Sequence, residues 1–408
     1  MTSMMPQADP HPMAITAMTA SSCLGHGMAP LTKALRDGTT GLTKKPFMNT
    51  GLDVYLGAVQ GVDQEQLPPE LSAYDCRNNR LAHLALRQDD FFESVKQAVN
   101  AYGRNRIGVF VGSSTSGLLQ TELAYRNRDA QGRIPDTLDY QHTHNMFSLA
   151  GFVAERLGVT GPQSVSSVAC ASSAKVFATA ARAIDAGLID AAVVGGVDSL
   201  CLTTLYGFGS LELLSSDICR PYDQARNGIS IGEAAAFAVL EKPDTRGSTN
   251  RTLSLLAGFG ESSDAHHMST PHPEGTGAQR AMQEALSRAR CATDQIDYIN
   301  LHGTATPSND ASEDAAVHAV FGATTPVSST KGAHGHTLGA AGALEAAICV
   351  TAIRQGLMPG GLNLLKLDPA LRCRYLTEPK QQPVTTVMSN SFGFGGANAS
   401  LIFSRATS

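Results

Sequence analysis

The chain has 408 residues, of which 42% are hydrophobic and 16% charged. This composition excludes large-scale disorder, which requires high charge and few apolar residues. The formal net charge is −5, whereas a general nucleic-acid-binding protein carries a basic excess. The sequence contains neither an apolar run of the roughly 18 residues that a membrane span needs nor a basic region followed by an apolar one at its start. We therefore expect neither a membrane span nor a signal peptide.

Eight cysteines are scattered along the chain without C-x-x-C spacing. This pattern argues against a zinc ribbon and against a dense disulfide framework. Unpaired thiols are typical of reducing compartments. We therefore predict a cytoplasmic protein in which most cysteines are small buried side chains.

Short apolar segments alternate with helical patterns along the chain. The predicted strands are Ile107–Gly112, Asp190–Gly196, Ala234–Leu240 and Leu253–Ala257. The predicted helices include Asn145–Leu157 and Ala281–Arg290. Continuous apolar runs suit strands that are covered on both faces. The alternation indicates an α/β fold.

A turn-rich, charged segment, Glu241–Asn250, divides the chain near its middle. Each side of it contains an apolar strand, a reactive residue at the end of that strand and a helix of small residues. We therefore predict an N-terminal half, residues 1–245, and a similar C-terminal half, residues 246–408.

Cys170 lies where a predicted strand turns into a helix. The β-branched run that starts at Val165 leads into it, and helix-forming residues follow as far as Gly187. The positive end of a helix dipole lowers the pKa of a thiol, and the free backbone N–H groups there can hold an oxyanion. On this segment alone, the alternative is a buried structural cysteine.

Two histidines and a lysine also follow predicted strands. His302 comes after an apolar run and before Gly303, and the alternative for it is a loop histidine bonded to backbone. Lys331 and His336 directly precede a helix rich in glycine and alanine, and His334 between them is an additional candidate. Because a helix N-terminus disfavours imidazolium, we predict a neutral His336 ring that donates one hydrogen bond.

The second half contains two other motifs. Ser328 and Lys331 match the S-x-x-K motif of penicillin-binding proteins, but the partner motifs K-T-G and S-D-N are absent from the sequence. Asn390–Asn398 alternates glycine with phenylalanine, which predicts a tight loop whose amides face a ligand, and not an ordinary strand. It lies too near the C-terminus for a nucleotide-binding βαβ unit to follow.

Together these segments supply one cysteine, two histidines, one lysine and an amide-rich loop. Cysteine-based acyl transfer followed by carbanion chemistry requires this set. At these residues the chain resembles the β-ketoacyl-acyl-carrier-protein synthases, in the type I/II group that uses Cys-His-His. Further matching segments extend over nearly the whole chain: Ala14–Met18, Pro30–Gly41, Ile107–Leu118, Cys219–Gly228 with Gly232 and Glu233, Ser263–Pro271, Lys331–His336 and Gly393–Gly396.

The resemblance implies a thiolase-like α/β fold in which two similar halves form a layered αβαβα arrangement. Cys170 would come from the first half and both histidines from the second, so the site would lie at their junction. The substrates would arrive on the phosphopantetheine of an acyl carrier protein, without a separate cofactor or metal. The resemblance also implies a dimer, either of two copies or with a related subunit, with the strand before Cys170 near the dimer axis.

The resemblance further implies a role for each matching residue. Cys170 would accept the acyl chain, and the amides of Cys170 and Phe394 would form the oxyanion hole. His302 and His336 would promote malonyl decarboxylation and stabilise the enolate, because charge develops on the thioester oxygen as CO2 leaves. The other implied roles are Lys331 beside the histidines, Glu313 as the ion-pair partner of His302, Thr304 and Thr306 on the pantetheine amides, and Phe392 as the gate of the acyl pocket.

The carrier-docking region departs from the family pattern. The loop Leu214–Cys219 is short and acidic where the family commonly has a basic residue. Arg77 and Arg80 remain as candidate contacts for an acidic carrier protein.

Two departures lie closer to the predicted site. Ala397 stands before Asn398 where threonine is commoner. Ser113–Ser116 is polar, and Thr115 would line the acyl pocket in place of an aliphatic residue. We take this polarity as a hint of an unsaturated, polyene or polyketide-like acyl chain.

Three alternatives remain at this point. A non-catalytic, chain-length-setting subunit typically lacks the cysteine, which is present here, although an enzyme that needs such a partner stays open. A Cys-His thiol hydrolase needs one histidine and an orienting residue, and leaves Lys331 and His336 unexplained. A metal site could use the cluster Asp264, His266, His267 and His272, but adjacent histidines point apart on most backbones, so we expect a loop near the active site instead.

Overall fold

The computed structural model describes residues 11–48, 50–136, 138–243 and 252–406. Within these ranges the strands are β1 (Met13–Ser22), β2 (Gly25–His26), β3 (Leu56–Gly57), β4 (Ile107–Gly112), β5 (Gln163–Ser166), β6 (Ala191–Asp198), β7 (Ile231–Gly232), β8 (Ala234–Glu241), β9 (Ser254–Ser263), β10 (Tyr298–Asn300), β11 (Pro326–Ser328), β12 (Leu357–Met358), β13 (Arg374–Tyr375), β14 (Lys380–Gln381), β15 (Thr386–Gly393) and β16 (Ala397–Ser404).

The α-helices in the same ranges are α1 (Met28–Asp37), α2 (Arg77–Leu86), α3 (Phe91–Tyr102), α4 (Leu118–Arg126), α5 (Ser148–Leu157), α6 (Ser172–Asp185), α7 (Leu202–Ser210), α8 (Thr276–Ala289), α9 (Pro307–Phe321), α10 (Lys331–His334) and α11 (Ala341–Gln355). None of them is long and apolar enough to cross a lipid bilayer.

One large sheet repeats the same pairing pattern on its two sides. In the first half the order is β1-β8-β6-β4-β5, with antiparallel pairs β1–β8 and β8–β6 and parallel pairs β6–β4 and β4–β5. In the second half β9-β16-β15-β10-β11 repeats that sequence of antiparallel and parallel pairs. β1 and β9 join the two sides through a short antiparallel contact. The predicted two similar α/β halves are therefore present.

Small residues bring helices α6 and α11 into close contact in the core. Every residue of α11 from Ala341 to Ile353 is buried. A Cβ atom at Gly342 would lie 2.5 Å from the backbone nitrogen of Ala174 in α6. The abundant glycine and alanine and the low aromatic content thus allow the helix backbones to pack closely. Larger side chains would prevent this contact.

The predicted elements agree with the structure except in the last segment. β4 has its predicted bounds, and β6, β8, β9, α5 and α8 overlap their predicted segments. The prediction of a loop over Asn390–Asn398 was wrong in extent, because Asn390–Gly393 belong to β15 and pair with β16. Only Phe394–Gly396 form the tight turn, where Gly395 and Gly396 have φ angles of 79° and 77°.

Two sequence predictions concern residues that the structure does not describe. Most of the predicted dividing segment Glu241–Asn250 lies outside the described residues, although Glu241 itself ends β8. The first ten residues, on which the expectation about a signal peptide rests, lie outside them as well. The boundary between residues 245 and 246 therefore stays a prediction.

Candidate active site

Cys170 lies at the predicted turn between a strand and a helix, just before α6. The preceding residue, Ala169, has a φ of 51°, which is a strained conformation for a residue with a Cβ atom. The Ser172 hydroxyl stabilises this turn, because it donates to the Ala169 carbonyl and accepts from the Val168 N–H at 2.9 Å. The turn aims the Cys170 thiol at the second half of the molecule.

The Cys170 thiol is buried, and its pKa differs from the sequence expectation. Burial raises this pKa to about 11, while the charge of Lys331 and a hydrogen bond from the Phe394 backbone N–H act in the opposite direction. The expected lowering of the thiol pKa is thus outweighed by desolvation of the thiolate.

His336 contacts the cysteine directly. Its Nε2 atom lies 3.0 Å from the Cys170 sulfur. Its Nδ1 atom accepts a hydrogen bond from the Leu338 backbone N–H at 3.2 Å. A neutral imidazole carries one proton, so an accepting Nδ1 places that proton on Nε2, facing the sulfur.

His302 completes the cluster around the cysteine. The Cys170 sulfur and one nitrogen of each histidine lie within 4.8 Å of one another. The two imidazole rings meet edge to face, with centroids 5.3 Å apart. Burial lowers the pKa of both histidines well below the ordinary value, and the charge of Lys331 lowers it further. Both rings are therefore neutral, and for His336 the causes are burial and Lys331 instead of the helix N-terminus on which the prediction rested.

Lys331 is fully buried beside His302. Its ammonium donates to the His302 carbonyl and lies 3.4 Å from Nδ1 of the same residue. It also forms an ion pair with Glu345, which is buried in α11. A cation next to Nδ1 favours the tautomer in which His302, like His336, carries its proton on Nε2.

Glu313 does not form the predicted ion pair with the His302 ring. Its carboxylate accepts hydrogen bonds from the backbone N–H groups of His302 and Gly303, at 2.8 and 2.7 Å. Burial raises the pKa of this carboxyl to about 8. Glu313 thus orients the His302 backbone and not its ring.

His334, the additional candidate, does not face the cleft. Its Nδ1 lies 2.8 Å from the Gly335 carbonyl, and its Nε2 lies 3.1 Å from the Thr330 hydroxyl. Burial lowers its pKa to about 3. Both ring nitrogens already have partners within α10 and its cap, so His334 supports the local backbone.

A cleft leads to Cys170 and both histidines. The predicted pantetheine contacts Thr304 and Thr306 line it, and their hydroxyl oxygens are 3.0 Å apart. Phe392 and Phe394 line it as well, with the Phe392 ring centroid 6.1 Å from that of His302.

The C-terminal hairpin and a neighbouring loop form the mouth of the cleft. Asn398 donates to Asp264 at 2.7 Å, and Asp264 also accepts from the His272 N–H. Asp264 and His267 line the cleft. The segment from Asp264 to His272 is therefore a loop beside the active site, as expected.

Thr115 is not placed as the sequence predicted. It is buried, and its hydroxyl donates to Asp198 at 2.8 Å. Among the described residues that line the cleft, Thr115 does not appear. The hydroxyls of Ser113 and Thr115 are thus both bonded to a buried carboxylate.

The two arginines proposed for carrier docking are already engaged. Arg77 is buried and forms ion pairs with Glu233 and Asp63. Arg80 binds the Asp75 carboxylate in a bidentate pair. The prediction for Arg77 was wrong because a buried, fully paired guanidinium is not free to contact a carrier protein.

Sequence reasoning missed two buried acidic residues near the site. Glu345 neutralises Lys331, and Asp198 binds the polar segment that contains Thr115. A local signal existed for Glu345, which is an acidic residue within a helix of small apolar ones. Asp198 ends a buried strand, but its partners are 83 or more residues away in the sequence and gave no local signal.

Comparison with known proteins agrees with this geometry. The chain matches the N-terminal domain of the beta-ketoacyl synthase family over residues 11–245 and its C-terminal domain over residues 253–365. It is 33% identical over 421 aligned positions to 3-oxoacyl-acyl-carrier-protein synthase 2 of Coxiella burnetii, covering 96% of this chain and 98% of that protein. It is 34% identical to nodulation protein E of Rhizobium meliloti, covering 95% of this chain and 98% of that one.

A similar solved structure is a ketosynthase from Xenorhabdus doucetiae in complex with its chain length factor. The two chains share 36% identity with a TM-score of 0.87, covering 99% of this chain and 100% of that one. The chain therefore belongs to the β-ketoacyl synthase family and has its thiolase-like fold. It is a condensing acyltransferase, a β-ketoacyl-acyl-carrier-protein synthase.

Proposed function

We propose that Cys170 is the nucleophile of this condensing enzyme. Its sulfur attacks an acyl thioester carried on phosphopantetheine as the thiol gives up its proton, and the backbone N–H groups of Cys170 and Phe394 bind the oxyanion that forms. The pantetheine sulfur leaves with the proton that Cys170 gave up, and the acyl chain stays on the cysteine. The supporting observation is that the sulfur and one nitrogen each of His302 and His336 lie within 4.8 Å of one another.

We propose that His302 and His336 act on the malonyl thioester. When CO2 leaves, the electron pair of the broken bond forms an enolate, whose oxygen accepts hydrogen bonds from both Nε2–H groups. The enolate carbon attacks the carbonyl carbon of the acyl-cysteine, and the Cys170 sulfur leaves as a thiolate. The β-ketoacyl product then remains on the carrier protein, and the step requires no further cofactor.

The remaining site residues hold the substrates and the histidines in place. Thr304 and Thr306 are the proposed hydrogen-bonding partners of the pantetheine amides, because their hydroxyls line the cleft. Phe392 is the proposed gate between the cleft and the acyl chain. Lys331 lies beside Nδ1 of the His302 ring, while Glu313 accepts a hydrogen bond from the His302 backbone N–H.

The proposed partners are an acyl carrier protein and a second subunit. Among the described residues, β5 pairs only with β4, so one edge of the strand before Cys170 has free backbone groups. We propose that this edge lies near the axis of a dimer in the cytoplasm. Similarity to a ketosynthase solved with its chain length factor favours, as the second candidate, a subunit that is active only with such a partner.

Intact-mass spectrometry tests the proposal. The protein is mixed with acyl-carrier-protein thioesters of several chain lengths and then with malonyl-carrier protein. We expect a mass increase equal to the acyl group, absent in Cys170→Ala, followed by release of a β-ketoacyl product. His302→Ala should still gain the acyl mass but lose malonyl decarboxylation.

Two results would contradict these assignments. Condensation at the wild-type rate by His302→Ala would remove that histidine from the proposed mechanism. Acyl transfer to Cys170→Ala would remove the nucleophile. Absence of an adduct with every chain, followed by its appearance when a related subunit is added, would favour the partner-dependent candidate.

A further inference from the structure

Asp198, at the end of β6, is a fully buried carboxylate that accepts hydrogen bonds from five donor groups. Its donors are the Ser113 hydroxyl at 2.8 Å, the Ser114 N–H at 2.8 Å, the Thr115 N–H at 2.9 Å, the Thr115 hydroxyl at 2.8 Å and the Gly339 N–H at 2.6 Å. No cation among the described residues forms an ion pair with it. A buried charge is tolerated only when such donors replace its lost water.

These donors come from both halves of the molecule. Ser113, Ser114 and Thr115 follow β4 in the first half, and the Ser114 hydroxyl also donates to the carbonyl of Ala169, the residue before Cys170. Gly339 belongs to the second half and lies three residues after His336. One carboxylate therefore connects the turn of the nucleophile to the segment of a catalytic histidine.

The turn after His336 is strained and needs such a connection. Leu338 has a φ of 52°, which is an unfavourable conformation for a residue with a Cβ atom. In this conformation its N–H points at Nδ1 of His336. The next N–H, that of Gly339, is held by Asp198, and a Cβ atom at Gly339 would lie only 2.7 Å from the Asp198 oxygen.

We propose that Asp198 is a positioning residue of the condensing site, which holds the Leu338 turn so that His336 keeps its proton on Nε2, facing Cys170. This inference rests on the role proposed above for His336. Asp198 touches neither the sulfur nor the substrate cleft, so it acts through His336. Loss of one or two of its hydrogen bonds would release the turn and misalign the Nε2–H donor. Small misplacements of catalytic groups lower the reaction rate strongly.

The test is the rate of CO2 release from malonyl-carrier protein. Asp198→Asn keeps the shape of the side chain but presents an NH2 group to N–H donors. We expect kcat to fall about tenfold or more while KM stays within about twofold, because the cleft residues are unchanged. Glu241→Gln is the matched control, since Glu241 is also a buried carboxylate bonded to hydroxyls, those of Thr16 and Tyr102, and should leave kcat unchanged.

A double-mutant cycle separates positioning from a general structural effect. If Asp198 acts through His336, Asp198→Asn should cause no further loss in a His336→Ala background. Thr115→Val, which removes one hydroxyl donor, provides a milder variant with a smaller loss that also disappears in that background. It keeps the test valid if Asp198→Asn does not fold.

The outcomes distinguish this inference from the proposed function. A wild-type kcat in both Asp198→Asn and Thr115→Val, or losses that add fully to that of His336→Ala, would overturn the positioning role alone. Wild-type decarboxylation by His336→Ala itself would instead overturn the role of the histidine on which the inference rests.

Discussion

The position of each proton determines what the residues of this site can do. Both histidines have a hydrogen-bond donor or a cation at Nδ1, Leu338 for His336 and Lys331 for His302. Both are buried and neutral, so each offers one N–H to the space near the Cys170 sulfur. Two neutral donors stabilise an enolate in a water-poor site without the cost of burying a second positive charge next to Lys331.

The buried lysine explains why a neutral pair is favoured. Its charge lowers the pKa of both histidines in addition to the effect of burial. Glu345 compensates that charge, and removal of one partner of a buried ion pair typically costs about 3–5 kcal/mol. The Lys331–Glu345 pair therefore supports the histidines electrostatically.

We predict that neither catalytic histidine titrates in the slightly acidic range during malonyl decarboxylation. Because burial and Lys331 lower the pKa of His302 and of His336, both rings stay neutral as the pH falls through 6.5. The CO2-release rate should therefore not show the loss of more than about tenfold between pH 7.5 and 6.0 that two histidines of ordinary pKa would cause.

This pH profile needs a control for irreversible inactivation. Enzyme held at pH 6.0 and returned to pH 7.5 should recover its full rate. A reversible decrease with a midpoint near pH 6.5 would show that the rings titrate as exposed histidines do.

Among the secondary-structure elements, the contact between α6 and α11 determines whether the two parts of the site meet. α6 begins two residues after Cys170, and α11 begins five residues after His336. The close approach of the helices at Gly342 therefore brings the segments before them together as well. Small residues at this contact contribute to function through geometry, although they carry no reactive group.

We predict that Gly342→Ala destabilises the fold by about 1–3 kcal/mol, because its Cβ atom would lie 2.5 Å from a backbone nitrogen of α6. The free energy of unfolding, measured in urea, tests this. Gly207→Ala in α7 is the matched control, since a Cβ atom there meets no neighbour within 4 Å and should stabilise the helix by up to about 1 kcal/mol. A Gly342→Ala protein as stable as wild type would mean that the helices can separate without cost.

At the scale of the whole molecule, the free edge of β5 concerns association with a second subunit. The edge of β5 has free backbone groups among the described residues, and such edges commonly pair with another chain. β5 also leads directly to the Cys170 turn, so an associated subunit would lie close to the nucleophile.

We predict that the isolated chain forms a dimer of about twice its mass of 42.8 kDa in light scattering. The same samples should then be assayed for acyl transfer to Cys170. An active monomer would contradict the proposed role of the β5 edge. An inactive monomer that gains mass and activity with a related subunit would identify the partner-dependent candidate.

Much of this protein follows from its sequence alone. Apolar runs determine β4, β6 and β8, because strands covered on both faces must be apolar throughout. The ordered motifs around Cys170, His302 and Lys331–His336 are sufficient to identify the family, since the reaction requires these residue types at the ends of particular elements.

Only the tertiary structure decided how those residues are supported. Glu313 binds the backbone of His302 and not its ring. Arg77 is buried and held in ion pairs. Thr115 donates a hydrogen bond to Asp198 and does not line the cleft. The thiol pKa rises because desolvation outweighs the charge of Lys331 and the hydrogen bond from the Phe394 N–H. Each of these outcomes depends on burial or on partners far away in the sequence, and a local pattern contains neither kind of information.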